Sequence, residues 1–160
     1  MEILVVPVKK SDEQNVILGQ AHFIKTVEDI HEAIVNTNPN IQFGLAFNEA
    51  SGPRLIRLDG NDERLIELAK ENAHNIGAGH FFFLVLENGY PINILNAIKS
   101  VPEVVNIYAA GANEMQVVVA KTELGNAILG VVDGGSPLGV ENSDDQKERK
   151  ELLRKIGYKF

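Results

Sequence analysis

Cysteine and tryptophan are both missing from this 160-residue chain, and its only aromatics are three tyrosines and seven phenylalanines. Without cysteine there is no disulfide, thiolate nucleophile or thiolate metal site, which fits a cytoplasmic protein. No apolar run approaches the ~20 residues that a membrane-spanning helix requires, so no membrane partner is expected. Met1–Lys10 reads as an opening strand and lacks the basic region and cleavage site of a signal peptide. Cations are outnumbered, 15 against 22 acids, for a net charge of −7. They gather only near the C-terminus, where Lys147, Arg149, Lys150, Arg154 and Lys155 alternate with acids, so a nucleic-acid partner is not expected either. Nucleotide and metal signatures are absent too. No glycine-rich loop closes on Gly-Lys-Ser/Thr, and no GxGxxG opens a helix after a strand. His22, His31, His74 and His80 are too scattered to suggest a zinc site.

The patterning that is present describes one α/β domain over residues 1–160, a layered sandwich with a mixed sheet covered by helices. Thr26-Val-Glu-Asp29 resembles a capping box, and Val27, Ile30, Ala33 and Ile34 follow helical spacing to about Asn36. Ile41, Phe43, Leu45 and Phe47 alternate as a half-buried strand, and Leu55–Leu58 is a short strand. Asn61 is placed to cap a helix with the apolar stripe Leu65, Ile66, Leu68, Ala69 and Ala73, stopped by Gly77. Phe81–Leu86 is a continuous apolar run, as expected of a strand covered on both faces. A short helix carrying Ile94, Leu95 and Ile98 follows, then strands over 104–110, 115–120 and 127–132. Asp144–Gly157 closes the chain as an amphipathic helix.

Four polar segments border apolar runs, and together they suggest a composite site for an anionic ligand. In Gly77-Ala78-Gly79-His80 the glycines open the backbone to a ligand, and the imidazole can act as base or as a phosphoryl-accepting nucleophile. A core-edge histidine bonded to a carbonyl is the plainer reading. His22 and Lys25 precede a helix, so a phosphate there meets a helix N-terminus, an ammonium and an imidazole. In Glu49-Ala50-Ser51-Gly52-Pro53 a carboxylate at a strand's end can hold ribose hydroxyls or Mg²⁺, although a polar turn explains the same residues. Asp133-Gly134-Gly135 lets backbone N–H groups converge on an anion, while Asp133 takes a metal or a hydroxyl proton. Lys25, Arg54 and Arg57 supply the cations that an acidic protein needs beside a phosphate. His31 and His74 read as surface residues.

Several stretches, Ile17–Asp29, Phe43–Gly52, Gly77–His80, Tyr90–Asn96, Ile128–Gly134 and Leu153–Lys159, together resemble the adenosine-specific kinase family of archaea and thermophilic bacteria. That resemblance implies an α/β fold, binding of adenosine and AMP, a stably phosphorylated histidine and a homo-oligomer, trimer or hexamer. By position it implies His80 as the phosphohistidine, with His22 as its rival and Asp133 assisting. Lys25, Glu49, Ser51, Gly79, Gly134 and Gly135 would hold substrate. ATP or another nucleotide would donate the phosphoryl group, with Mg²⁺ to offset charge. A non-catalytic adenosine or AMP sensor is the alternative. The chain departs from the family pattern at Ala109–Glu114 and at Asn126, where an arginine is expected; that loss removes a bidentate partner for a phosphate and bears on turnover more than on nucleoside binding.

Overall fold

The computed structural model describes residues 1–160. Its strands are β1 (Glu2–Pro7), β2 (Asn15–Ala21), β3 (Gln42–Asn48), β4 (Ile56–Gly60), β5 (Phe81–Glu87), β6 (Val104–Gly111), β7 (Met115–Lys121) and β8 (Asn126–Asp133). The helices are α1 (Thr26–Thr37), α2 (Glu63–Ile76), α3 (Pro91–Lys99) and α4 (Ser143–Lys155). The layered α/β class holds, with the strands divided between two sheets in the orders β4-β3-β5-β2-β6 and β1-β7-β8.

Every ladder in both sheets is antiparallel, where a mixed sheet was expected. The reason is insertion. The β2–α1–β3 crossover would make a parallel pair, but β5 lies between its two strands and runs opposite to both. In the same way β2 separates β5 from β6.

β5 is apolar on both sides because both sides are covered. Phe81, Phe83 and Val85 enter one core with Leu65, Ala69, Ala73 and Ile76 of α2 and with Val117 and Val119 of the small sheet. Phe82, Leu84 and Leu86 enter a second core with Ile30 and Ile34 of α1 and Ile94 and Ile98 of α3. Each fully buried side chain of this size contributes roughly 1.5–3 kcal/mol. α2 lies tight against the sheet at Gly44, where an added Cβ would stand 2.1 Å from the carbonyl carbon and oxygen of Leu65.

Local details depart from expectation at three places. Asp62, not Asn61, caps α2, accepting from the N–H groups of Arg64 and Leu65. The Asn61 side chain is spent on the sheet, accepting from Phe43 N–H and donating to the Ile41 carbonyl. Thr26 forms no capping box, since its hydroxyl donates to the preceding Phe23 carbonyl. His31 is no free surface residue. Its Nδ1 lies 2.7 Å from Asp59 Oδ2 of β4, and its ring meets the edge of Phe43. By contrast Gly77 stops α2 as expected, in the left-handed conformation at φ 64°.

The far end of the sheet carries an acid-sensitive clasp. Arg64 donates to both oxygens of Glu87 at 2.8 and 2.7 Å, and Gln14 Nε2 donates at 2.9 Å. Arg64 first, and then Gln14, hold the Glu87 carboxyl at about 2, below the ordinary 4.5. A carboxylate lowered on folding stabilises fully above its unfolded value and loses that contribution as pH falls toward the folded one. Glu87→Gln should therefore flatten the pH dependence of the urea midpoint between about 4.5 and about 2.

Candidate active site

Antiparallel pairing brings the C-terminal ends of β2 and β3 to the same sheet edge as the starts of β5 and β6. Four segments converge there. His80 N–H donates to Asn48 O at 2.7 Å, Ala21 N–H to His80 O at 2.9 Å, and His22 N–H to Glu103 O at 3.1 Å. Three of the expected segments, at His22–Lys25, Glu49–Ser51 and Gly77–His80, are thus drawn together by sheet register.

His80 adopts φ 59°, a left-handed backbone in which an L side chain costs roughly 1–2 kcal/mol. Only glycine, and to a lesser extent asparagine or aspartate, occupies such a position freely. The ring lies half-buried on Phe47, nearly parallel to it at a centroid distance of 5.8 Å. Gly79 immediately before it sits in a tight place, where a Cβ would stand 3.0 Å from the Ala50 methyl.

His22 is exposed, and its Nδ1 lies 2.8 Å from the Glu103 carbonyl oxygen. A carbonyl only accepts, so Nδ1 carries a hydrogen, and in the neutral ring Nε2 holds the lone pair. Lys25 stands just before α1, pinned to Asp29 and, at 3.0 Å, to Glu103 Oε1. Asp29 and then Glu103 raise the Lys25 ammonium above its ordinary range, and Lys25 lowers Asp29 in turn. Glu103 is buried, and its Oε2 has no donor. No sequence pattern singles out Glu103; only the approach of β6 to β2 brings it beside Lys25.

A cavity of about 690 Å³ opens at the same end, among Glu49, Arg54, His74, Gly79 and Asn126. The size suits a nucleoside-scale ligand. Glu49 is fixed by Leu55 N–H at 2.8 Å and by Arg57 at 2.9 Å, which together lower its carboxyl below the usual range, Leu55 contributing most. Arg54 faces the cavity with no carboxylate partner and with φ 51°. Ser51 is exposed in the turn between Glu49 and Arg54. At the cavity wall Asn48 Nδ2 donates to Ala73 O and Ala78 O, both at 3.0 Å, tying the end of β3 to the end of α2. Asn126 donates to Ile76 O, so the position where an arginine was expected closes the C-terminus of α2.

The family model for adenosine-specific kinases matches residues 6–159. The chain belongs to that family. A comparison with curated proteins found no match. Among solved structures, the crystal structure of the PH1918 protein from Pyrococcus horikoshii OT3 is similar to this chain at 48% identity and a TM-score of 0.95. The match covers 99% of this chain and 98% of that one. Membership directs attention to the fourth segment, which this member of the adenosine-specific kinases holds elsewhere. β8 starts at Asn126 beside the cavity and ends at Asp133, roughly 24 Å away at strand rise. Asp133 there accepts from Asn113 Nδ2 at 3.0 Å, and Gly134 N–H donates to Glu114 O at 2.9 Å, while Gly135 is exposed. Within one protomer Asp133, Gly134 and Gly135 do not join the histidines. No group of three or more histidine, aspartate or glutamate side chains converges to hold a metal ion, and no helix is long and apolar enough to cross a membrane.

Proposed function

We propose that this protein phosphorylates adenosine to AMP through a phosphohistidine formed on His80, working as a homo-oligomer. The observation that carries the reading is the backbone of His80. A strained residue at an accessible sheet end is a hypothesis of function, because the same turn with glycine would be easier to fold. Stacking on Phe47 fixes the imidazole plane, and the neighbouring His22, whose Nδ1–H donates to the Glu103 carbonyl, offers the lone pair of Nε2 as a second nucleophile. In this reading adenosine occupies the cavity, Glu49 orients ribose, Ser51 and Gly79 offer hydrogen bonds, and Arg54 meets the phosphate.

Mg²⁺, when it arrives on the phosphates of a nucleotide donor such as ATP, would supply charge neutralisation during transfer. Such an ion needs only one or two carboxylates from the protein, and Glu49 stands at the cavity to provide one. The histidine nitrogen then forms its bond to phosphorus as the donor's leaving oxygen departs. In the second transfer the 5′-oxygen of adenosine bonds to phosphorus as the N–P bond to His80 breaks, and the hydroxyl proton passes to the released imidazole.

A second reading, an adenosine or AMP sensor, is favoured by the way the cations are committed. Lys25 is held by two carboxylates and Arg57 by Glu49, leaving Arg54 for a phosphate. Supplying labelled ATP, Mg²⁺ and adenosine separates the readings. Many AMP molecules per protomer are expected of the kinase, and no more than one would favour the sensor. A guanosine control should neither react nor raise the melting temperature.

A further inference from the structure

Two apolar surfaces of this chain are left without a partner. The first is the outer face of the β1-β7-β8 sheet. Its inner face, with Leu4, Val6, Val117, Val119, Ile128 and Val131, packs into the core beside α2. Register puts three ranks on the other face: Ile3–Ala120–Ala127, Val5–Val118–Gly130 and Pro7–Gln116–Val132. Gln116 is the one polar side chain among them. Ile3, Val5 and Val132 are about half exposed, as is Leu129 at the bulge, and a Cβ on Gly130 would meet nothing within 4 Å. Antiparallel sheets that face water alternate apolar-in with polar-out; this one is apolar on both sides.

The second surface is the C-terminal arm, residues 134–160. α4 packs against no other element to any extent, and none of its residues is buried. Leu152, Leu153 and Ile156 form one stripe, continued by Tyr158 and Phe160, and all but Leu153 are about half or fully exposed. A lone helix of 13 residues is marginal in water, so this one needs a surface to lie on.

We propose that the arm of one copy lies across the outer face of the small sheet of a second copy, in a reciprocal exchange. Charge favours it. Residues 1–142 hold nine lysines and arginines against 18 acids, whereas residues 143–160 hold six against four, so a body of net −9 meets an arm of net +2. Reach permits it, since the nine residues 134–142 extend to about 30 Å, more than the length of the sheet face. Area requires the exchange. Three strands of this length offer about 300 Å² of face, short of the about 800 Å² per partner that a stable dimer needs. Two docked arms and their linkers supply the remainder. None of this depends on the phosphohistidine, and the test uses no ligand.

The absence of cysteine allows a direct test on the full chain. Val5→Cys and Ile156→Cys, both at exposed positions, are prepared separately, mixed under reduction to permit exchange, and then oxidised. A disulfide joining one chain of each kind is expected, while a Leu55→Cys chain, altered in the exposed loop before β4, should give none with Ile156→Cys. In parallel, light scattering should show the parent as a multimer. Leu152→Glu/Ile156→Glu and Val5→Lys/Leu129→Lys should each weaken assembly at least 100-fold. A mixture of the two variants should recover part of it, through the one arm and one face left intact. A monomeric parent, arm variants that assemble like the parent, or cross-linking to Leu55→Cys as strong as to Val5→Cys would overturn the proposal.

Discussion

Gly44→Ala is expected to leave the protein unable to hold its native fold. The new Cβ would stand 2.1 Å from two backbone atoms of Leu65 and 2.4 Å from the nitrogen of Ile66. Neither is the end of a flexible side chain, so relief requires α2 to rise bodily from β3. That movement opens the core around Leu65, Ala69 and Ala73. Ordinary overpacking costs about 1–3 kcal/mol, and displacing a whole helix should exceed about 4 kcal/mol, a large part of a typical domain's stability. The expected observation is loss of the cooperative urea transition. Gly125→Ala, whose Cβ meets open space, is the control and should unfold as the parent does. A Gly44→Ala midpoint close to that of the parent would mean that α2 does not lie this near the sheet. The site would suffer with the fold, because α2 delivers Gly77–His80 to the sheet edge.

His80→Ala should abolish acid-labile labelling of the protein by radioactive ATP, whereas His22→Ala should retain it. Retention in the first variant with loss in the second would exchange the two roles. Stability offers an independent reading of the same residue. His80→Gly and His80→Ala both lose the imidazole and its stacking on Phe47, so the difference between them reports the backbone alone. At φ 59° glycine should be the more stable by about 1 kcal/mol. Equal urea midpoints would remove the strain on which the functional assignment of His80 rests. A glycine variant that is sturdier than alanine yet unlabelled is what a turn strained for function should give.

Much of this fold could be read from local pattern. α2 declared itself through its stripe and its glycine stop, and β5 through an unbroken apolar run that two buried faces require. β2 was harder, because Asn15–Ala21 is buried on both sides and has no alternation, while Gly19 within it suits a turn equally well. That glycine is a packing demand, since a Cβ there would strike the Phe82 ring at 2.4 Å. Strand order lay beyond local pattern altogether. Nothing near Phe81 in the sequence says that β5 inserts between β2 and β3, and that insertion decides which loops meet. His22, Glu49 and His80 were legible as polar residues closing apolar runs, and the sheet joins them. Asp133 has the same signature at the end of β8 but sits at the opposite end of that strand, for a loop does not record which sheet edge it borders. Glu103 gave no signal, being one acid in a short turn whose burial comes from β6 meeting β2.

Hydrogen exchange followed by mass spectrometry, with and without saturating adenosine, tests the central claim most directly. The nucleoside should slow exchange at Glu49–Leu55 and Gly77–His80, with a smaller effect near His22–Lys25, and guanosine should leave all three unchanged. Protection confined to Asp133–Gly139, with none at Gly77–His80, would place the ligand at the other end of the molecule and contradict the account.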